Sequence, residues 1–82
     1  MKVTGGHPVK SRKCNATDKR VASQVKRARR AGGFSLMAMS ERLDVTYNMI
    51  WKYETARARI TAGRLAEIAA VTGRPIGWFF KL

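Results

Sequence analysis

At 82 residues the chain supports one small domain with a modest core, and self-association would add to its stability. Its net charge of +12 is unevenly spread: residues 1–30 carry ten Lys or Arg against one acid, residues 31–82 seven against four. That imbalance points to a polyanionic partner, while Cys14, the single cysteine, excludes an internal disulfide and fits a reducing compartment.

Residues 1–17 hold no apolar period and read as a flexible basic arm, with Lys10, Arg12 and Lys13 placed to lie along phosphates. The remainder, residues 18–82, reads as one domain. Thr17 or Asp18 caps a first helix running to about Ala31, where Gly32-Gly33 stops it. Val21, Val25 and Ala28 repeat at i, i+4, i+7 as its narrow apolar face, and its cations, Arg29 and Arg30 included, fall mostly on the wet side.

Ser35 caps a second helix and Thr46 a third. Met39 and Leu43 share one face of the second helix, and Ile50 and Tyr53 share one face of the third. Between them, Leu43-Asp44-Val45-Thr46 must reverse sharply, and Asp tolerates a left-handed backbone. Two short helices around such a turn form a helix-turn-helix, whose second helix can enter the DNA major groove. A loop, TARARI over residues 55–60, follows. Thr61 caps a fourth helix to about Thr72, buried through Leu65, Ile68 and Ala69, and Gly73 ends it. Pro75 opens a last short helix ending in Trp78-Phe79-Phe80. The pattern is all-α: five short helices, with no strand alternation, repeat or second domain.

Residues from about 18 to 80 resemble the lambda-repressor-like (Cro/repressor, XRE-type) helix-turn-helix family. The carrying features are Val25-Lys26-Arg27-Ala28-Arg29-Arg30, Ser35, the turn Leu43–Thr46, Ile50-Trp51-Lys52-Tyr53-Glu54, Leu65-Ala66-Glu67-Ile68-Ala69 and Ile76-Gly77-Trp78-Phe79-Phe80. The resemblance implies a compact five-helix domain that binds a palindromic operator as a homodimer, usually as a repressor. Leu36 departs from a Gln that often contacts phosphate in the family, and Ser40 from a commoner Ala. Asp44 and Ala56 stand where glycine is common, and Ala56 predicts an altered loop path.

In such a unit the exposed residues at the start of the recognition helix, about 46–54, face base edges. Here these are Tyr47, Asn48, Trp51 and Lys52. Asn48 can pair bidentately with adenine, Lys52 can donate to guanine, and Tyr47 offers a hydroxyl and a ring face. Trp51 points about 100° away from Ile50, so it is exposed, packed beneath the arm, or in the groove. Ser35, Thr46, Thr55, Arg57 and Arg59 flank the helix as phosphate contacts, joined by Lys10, Arg12 and Lys13 and by backbone amides at the starts of the second and third helices. Glu54 should pair internally, with Arg42 or Arg64 as candidates. Among Trp78, Phe79 and Phe80, one is expected in the core and at least one at a dimer contact.

Catalysis has no foothold. His7 is a lone histidine in the arm, Cys14 lacks a nearby histidine, and no CxxC, Walker loop or carboxylate pair suggests metal or nucleotide chemistry. No enzyme activity, cofactor, metal, membrane partner or small-molecule ligand is expected. With neither a signal peptide nor a membrane span in view, a cytoplasmic protein is expected, nucleoid-associated when DNA-bound. The first functional expectation is a Cro-type repressor from a phage or mobile element. The alternatives are a DNA-binding antitoxin or protein-interaction module of a toxin–antitoxin or mobile-element system, and an RNA-binding regulator, which the lack of a paired-aromatic stacking platform on a sheet argues against.

Overall fold

The computed structural model describes residues 14–81. The elements follow in the order α1 (Ala16–Ala31), α2 (Leu36–Leu43), α3 (Tyr47–Glu54), α4 (Ala62–Thr72) and a closing 3₁₀ helix (Ile76–Phe80), with no strand among the described residues. The fifth predicted helix is thus a 3₁₀ segment rather than an α-helix. Five residues are too few to offset the cost of α-helix nucleation, and short 3₁₀ pieces serve such ends. Lys10, Arg12, Lys13 and His7, the arm residues singled out above, lie outside the described residues.

Side-chain oxygens start all four α-helices. Ser35 accepts from the Ala38 amide at 3.0 Å, Thr46 from Met49 at 3.1 Å and Thr61 from Arg64 at 3.1 Å, as expected of their short hydroxyl side chains. The first helix differs from expectation: its cap is Asn15, not Thr17 or Asp18. Asn15 Oδ1 accepts from the Asp18 amide at 2.8 Å, and the Asp18 carboxylate accepts from the Asn15 amide at 2.9 Å. This reciprocal capping box places Asp18 at the third helical position and satisfies two amides at once.

The helix ends share one device. Gly33, Asp44, Ala56 and Gly73 all take left-handed backbone angles, with φ of 78°, 56°, 59° and 72°. In each case the next amide reaches back five residues: Phe34 to Arg29, Val45 to Ser40, Arg57 to Lys52 and Arg74 to Ala69, at 2.9–3.0 Å. These are Schellman turns. Ala56 therefore adopts the left-handed conformation that glycine takes freely.

The turns set four helices around one core. Val21, Val25 and Ala28 of α1 meet Met39 and Leu43 of α2, Ile50 and Tyr53 of α3, Leu65, Ile68 and Ala69 of α4, and Phe79. Phe79 is fully enclosed. Polar side chains tie the layers. Buried Gln24 donates through Nε2 to the Trp78 carbonyl at 3.1 Å, fixing the 3₁₀ helix to α1. Arg64 Nη1 donates to the Leu43 carbonyl at 3.0 Å, fixing the start of α4 to the end of α2.

Candidate nucleic-acid interface

The helix α3 has two faces. Ile50 and Tyr53 anchor it in the core, while Tyr47, Asn48, Trp51 and Lys52 are all exposed. Tyr47 and Trp51 are one turn apart, as are Asn48 and Lys52, so the four proposed base contacts form two adjacent rows on one surface. Tyr47 is 49% exposed and Trp51 39%, large values for aromatic side chains in a chain with so small a core. Neither is packed as a core residue would be. The surface combines an amide, an ammonium, a phenol and an indole, a set able to meet base edges, methyl groups and backbone oxygens.

Anchoring from below comes from a pair that sequence reasoning misassigned. Glu54 pairs with Arg29 of α1, not with Arg42 or Arg64. Arg29 Nε donates to one carboxylate oxygen at 2.6 Å and Nη2 to the other at 3.1 Å, and Nη1 donates to the Phe34 carbonyl at 2.7 Å. Both side chains are buried, at 9% and 5% exposure. Arg29 thus leaves the solvated set and becomes the peg between α1, the end of α3 and the chain entering α2. Only its i, i+4 relation to Val25 hinted at an inward direction.

The flanking residues divide. Ser35 and Thr46 accept helix amides through their oxygens, which leaves each hydroxyl proton able to donate outward. Thr55 does the opposite. Its hydroxyl donates to the Trp51 carbonyl at 2.7 Å, so in this structure its side-chain proton closes the end of α3. Arg59 is tied by Nε to Asp18 Oδ2 at 3.0 Å, linking the loop to the start of α1. Arg57 instead lies over the Trp51 ring, its guanidinium carbon 4.9 Å from the ring centroid.

Leu36, placed where a phosphate-contacting Gln is frequent, turns toward the core with Phe34, Val45 and Met49. Ser40 is buried and bonds back to the Met37 carbonyl at 2.7 Å, so its hydroxyl needs no other partner. On the last helix, Phe80 is 48% and Ile76 45% exposed, and Trp78 is half-buried beneath Arg74, whose guanidinium sits 4.2 Å above the ring centre. Phe79 belongs to the core and has no surface for a partner, which removes it from the expected dimer contact.

The comparisons with known proteins agree with this geometry. A family model described as helix-turn-helix matches residues 25–79. The chain belongs to the XRE-type helix-turn-helix family of transcriptional regulators. It is 38% identical over 64 residues to an uncharacterised HTH-type transcriptional regulator of Rickettsia conorii, covering 78% of this chain and 51% of that one. An HTH-type regulator of Sinorhizobium medicae is 33% identical over 70 residues, covering 85% and 50%. The chain thus spans about half the length of these relatives. A transcriptional regulator in the ATPase CF(0) region of Rhodospirillum rubrum is 34% identical over 71 residues, covering 87% and 66%. Among solved structures, the DNA-binding domain of BldD superposes with a TM-score of 0.73 at 23% identity, covering 83% of this chain and 99% of that one. The clp gene regulator ClgR from Corynebacterium glutamicum gives 0.75 at 15% identity, covering 79% and 69%. At those identities the structures establish the fold.

No group of three or more metal-ligating side chains occurs among the described residues. No described helix is long and apolar enough to cross a membrane. This family and fold are those of DNA-binding regulators, not of enzymes.

Proposed function

We propose that the chain binds double-stranded DNA sequence-specifically as a homodimer on a pseudo-palindromic operator, and that it represses transcription in the cytoplasm in the manner of a small Cro-like repressor. The observation that carries this reading is the two-row exposed surface of α3, held rigid from below by Ile50, Tyr53 and the Arg29–Glu54 pair. In the groove, Asn48 and Lys52 read base edges and Tyr47 meets a thymine methyl or a phosphate. Ser35, Thr46 and Arg57 grip the backbone on either side, with Lys10, Arg12 and Lys13 adding phosphate contacts. Exposed Phe80 and Ile76 and half-buried Trp78 support pairing of two copies through the last helix, which doubles the contact to DNA.

Selection from a random-sequence duplex library tests this. The expected result is an enriched inverted repeat with half-sites about one helical turn apart. Binding to the selected duplex no tighter than to random duplex at physiological salt would sink it.

A further inference from the structure

Of the arginines around the helix-turn-helix, Arg29 and Arg64 are held by Glu54 and Glu67, and Arg59 by Asp18. Arg57 makes no ion pair among the described residues, yet it has a fixed place. Its guanidinium carbon lies 4.9 Å from the centre of the Trp51 ring. The backbone enforces that approach. Ala56 turns left-handed at φ 59°, and the Arg57 amide folds back to the Lys52 carbonyl at 2.9 Å, so the chain leaving α3 doubles over its own last turn. An indole is the strongest aromatic partner for a cation. A stacked guanidinium also keeps its N–H edge free to donate in the plane.

The geometry points to Trp51 and Arg57 acting as one unit: the indole is a positioning residue that presents the guanidinium to a DNA phosphate beside the end of α3, rather than an independent reader of bases. This rests on the reading of α3 as the helix that enters the groove. One ring face is covered by Arg57, so the indole's remaining surface is its edge and opposite face. The stack has also removed part of the rotamer freedom an arginine loses on binding, before any DNA arrives. Trp51 is 39% exposed and outside the core, so its replacement leaves the fold intact.

The test is a double-mutant cycle on a duplex that the wild-type chain has selected from random sequence, with affinities measured by fluorescence anisotropy over a range of salt. Expected are losses of roughly tenfold for R57A and about three- to tenfold for W51A, with the double variant no more than about twofold weaker than R57A. W51F, which keeps a ring face, should recover most of the W51A loss. R57A should flatten the salt slope by about one, and W51A should leave the selected base preference unchanged at every position. Multiplying losses in the double variant, a W51F as weak as W51A, or a changed base preference in W51A would each overturn the unit while leaving the DNA-binding reading standing. A wild-type chain that selects no duplex would overturn both.

Discussion

Arg29 and Glu54 form a two-pronged, buried ion pair that joins the first helix to the last turn of α3, with contacts of 2.6 and 3.1 Å. The third prong, from Arg29 to the Phe34 carbonyl, brings the entry to α2 into the same knot. A buried pair adds little over well-packed apolar residues, but removing one partner strands the other charge, at a cost of about 3–5 kcal/mol. Glu54→Ala and Arg29→Ala should therefore each lower unfolding free energy by that amount in denaturant titration. The double replacement Arg29→Met with Glu54→Leu should cost much less than either. A single variant that loses under about 1 kcal/mol would mean the pair is solvated in solution, as surface pairs are.

At Ala56 the chain carries a strained residue for the sake of its turn. An L-residue in the left-handed region costs about 1–2 kcal/mol, and glycine relieves this at some cost in unfolded-chain entropy. Ala56→Gly should stabilise the protein by about 0.5–1 kcal/mol. Gly33→Ala and Gly73→Ala should destabilise by about 1 kcal/mol, purely through the backbone, since an added Cβ meets nothing within 4 Å at either site. Thermal unfolding of the three variants checks the signs. A destabilised Ala56→Gly would show that the Ala56 side chain, partly buried, contributes packing that outweighs the strain.

These two sites also show where the sequence was legible. Ser35, Thr46 and Thr61 announced three helix starts because a hydroxyl one position before an apolar period has few other uses, and Gly33, Asp44 and Gly73 announced three helix ends because those residue types tolerate a positive φ. Asn15 was hidden: Thr17 and Asp18 are equally good cap formers, and only the reciprocal Asn15–Asp18 bonds separate them. Ala56 was hidden because alanine carries no signal for a left-handed turn. The same limit applies to Arg29 and Gln24. A long polar side chain on a basic helix reads as solvated until a tertiary partner, here Glu54 or the Trp78 carbonyl, is in place. The exposed face of α3 followed from periodicity alone, whereas the Arg57–Trp51 stack needed the path of the loop.

Phe79 and Phe80 are neighbours with opposite fates, and they separate folding from assembly. Phe79 is fully enclosed and Phe80 is 48% exposed. Phe79→Ala should cost about 3–5 kcal/mol in unfolding free energy. Phe80→Asp should leave unfolding of the single chain within about 0.5 kcal/mol of wild type, yet abolish any dimer seen by analytical ultracentrifugation and weaken binding to a two-half-site duplex far more than to one half-site. Equal sedimentation of wild type and Phe80→Asp as dimers would place the subunit contact elsewhere.

Asn48 stands in the exposed surface of α3 and its side chain makes no hydrogen bond to another side chain or backbone group among the described residues. Bidentate pairing with adenine gives about 1–3 kcal/mol of discrimination. Asn48→Ala should lose that much affinity for the selected duplex and relax preference at one position in each half-site. A uniform loss across matched and mismatched duplexes would assign Asn48 to the backbone instead.

The arm tests the electrostatic part of recognition separately from the base-reading part. Lys10, Arg12 and Lys13 supply three of the seventeen basic residues within four positions, just ahead of the first helix. Each phosphate neutralised contributes about 0.9 to the slope of log affinity against log salt. If all three side chains engage phosphates, deleting residues 1–13 should flatten that slope by about 2–3. Affinity for random and selected duplexes should fall in parallel, because phosphate contacts carry no base information. Base preference in a repeated selection should stay the same. A slope unchanged by the deletion would make the arm's charge irrelevant to binding, and a shifted base preference would place part of the arm in a groove.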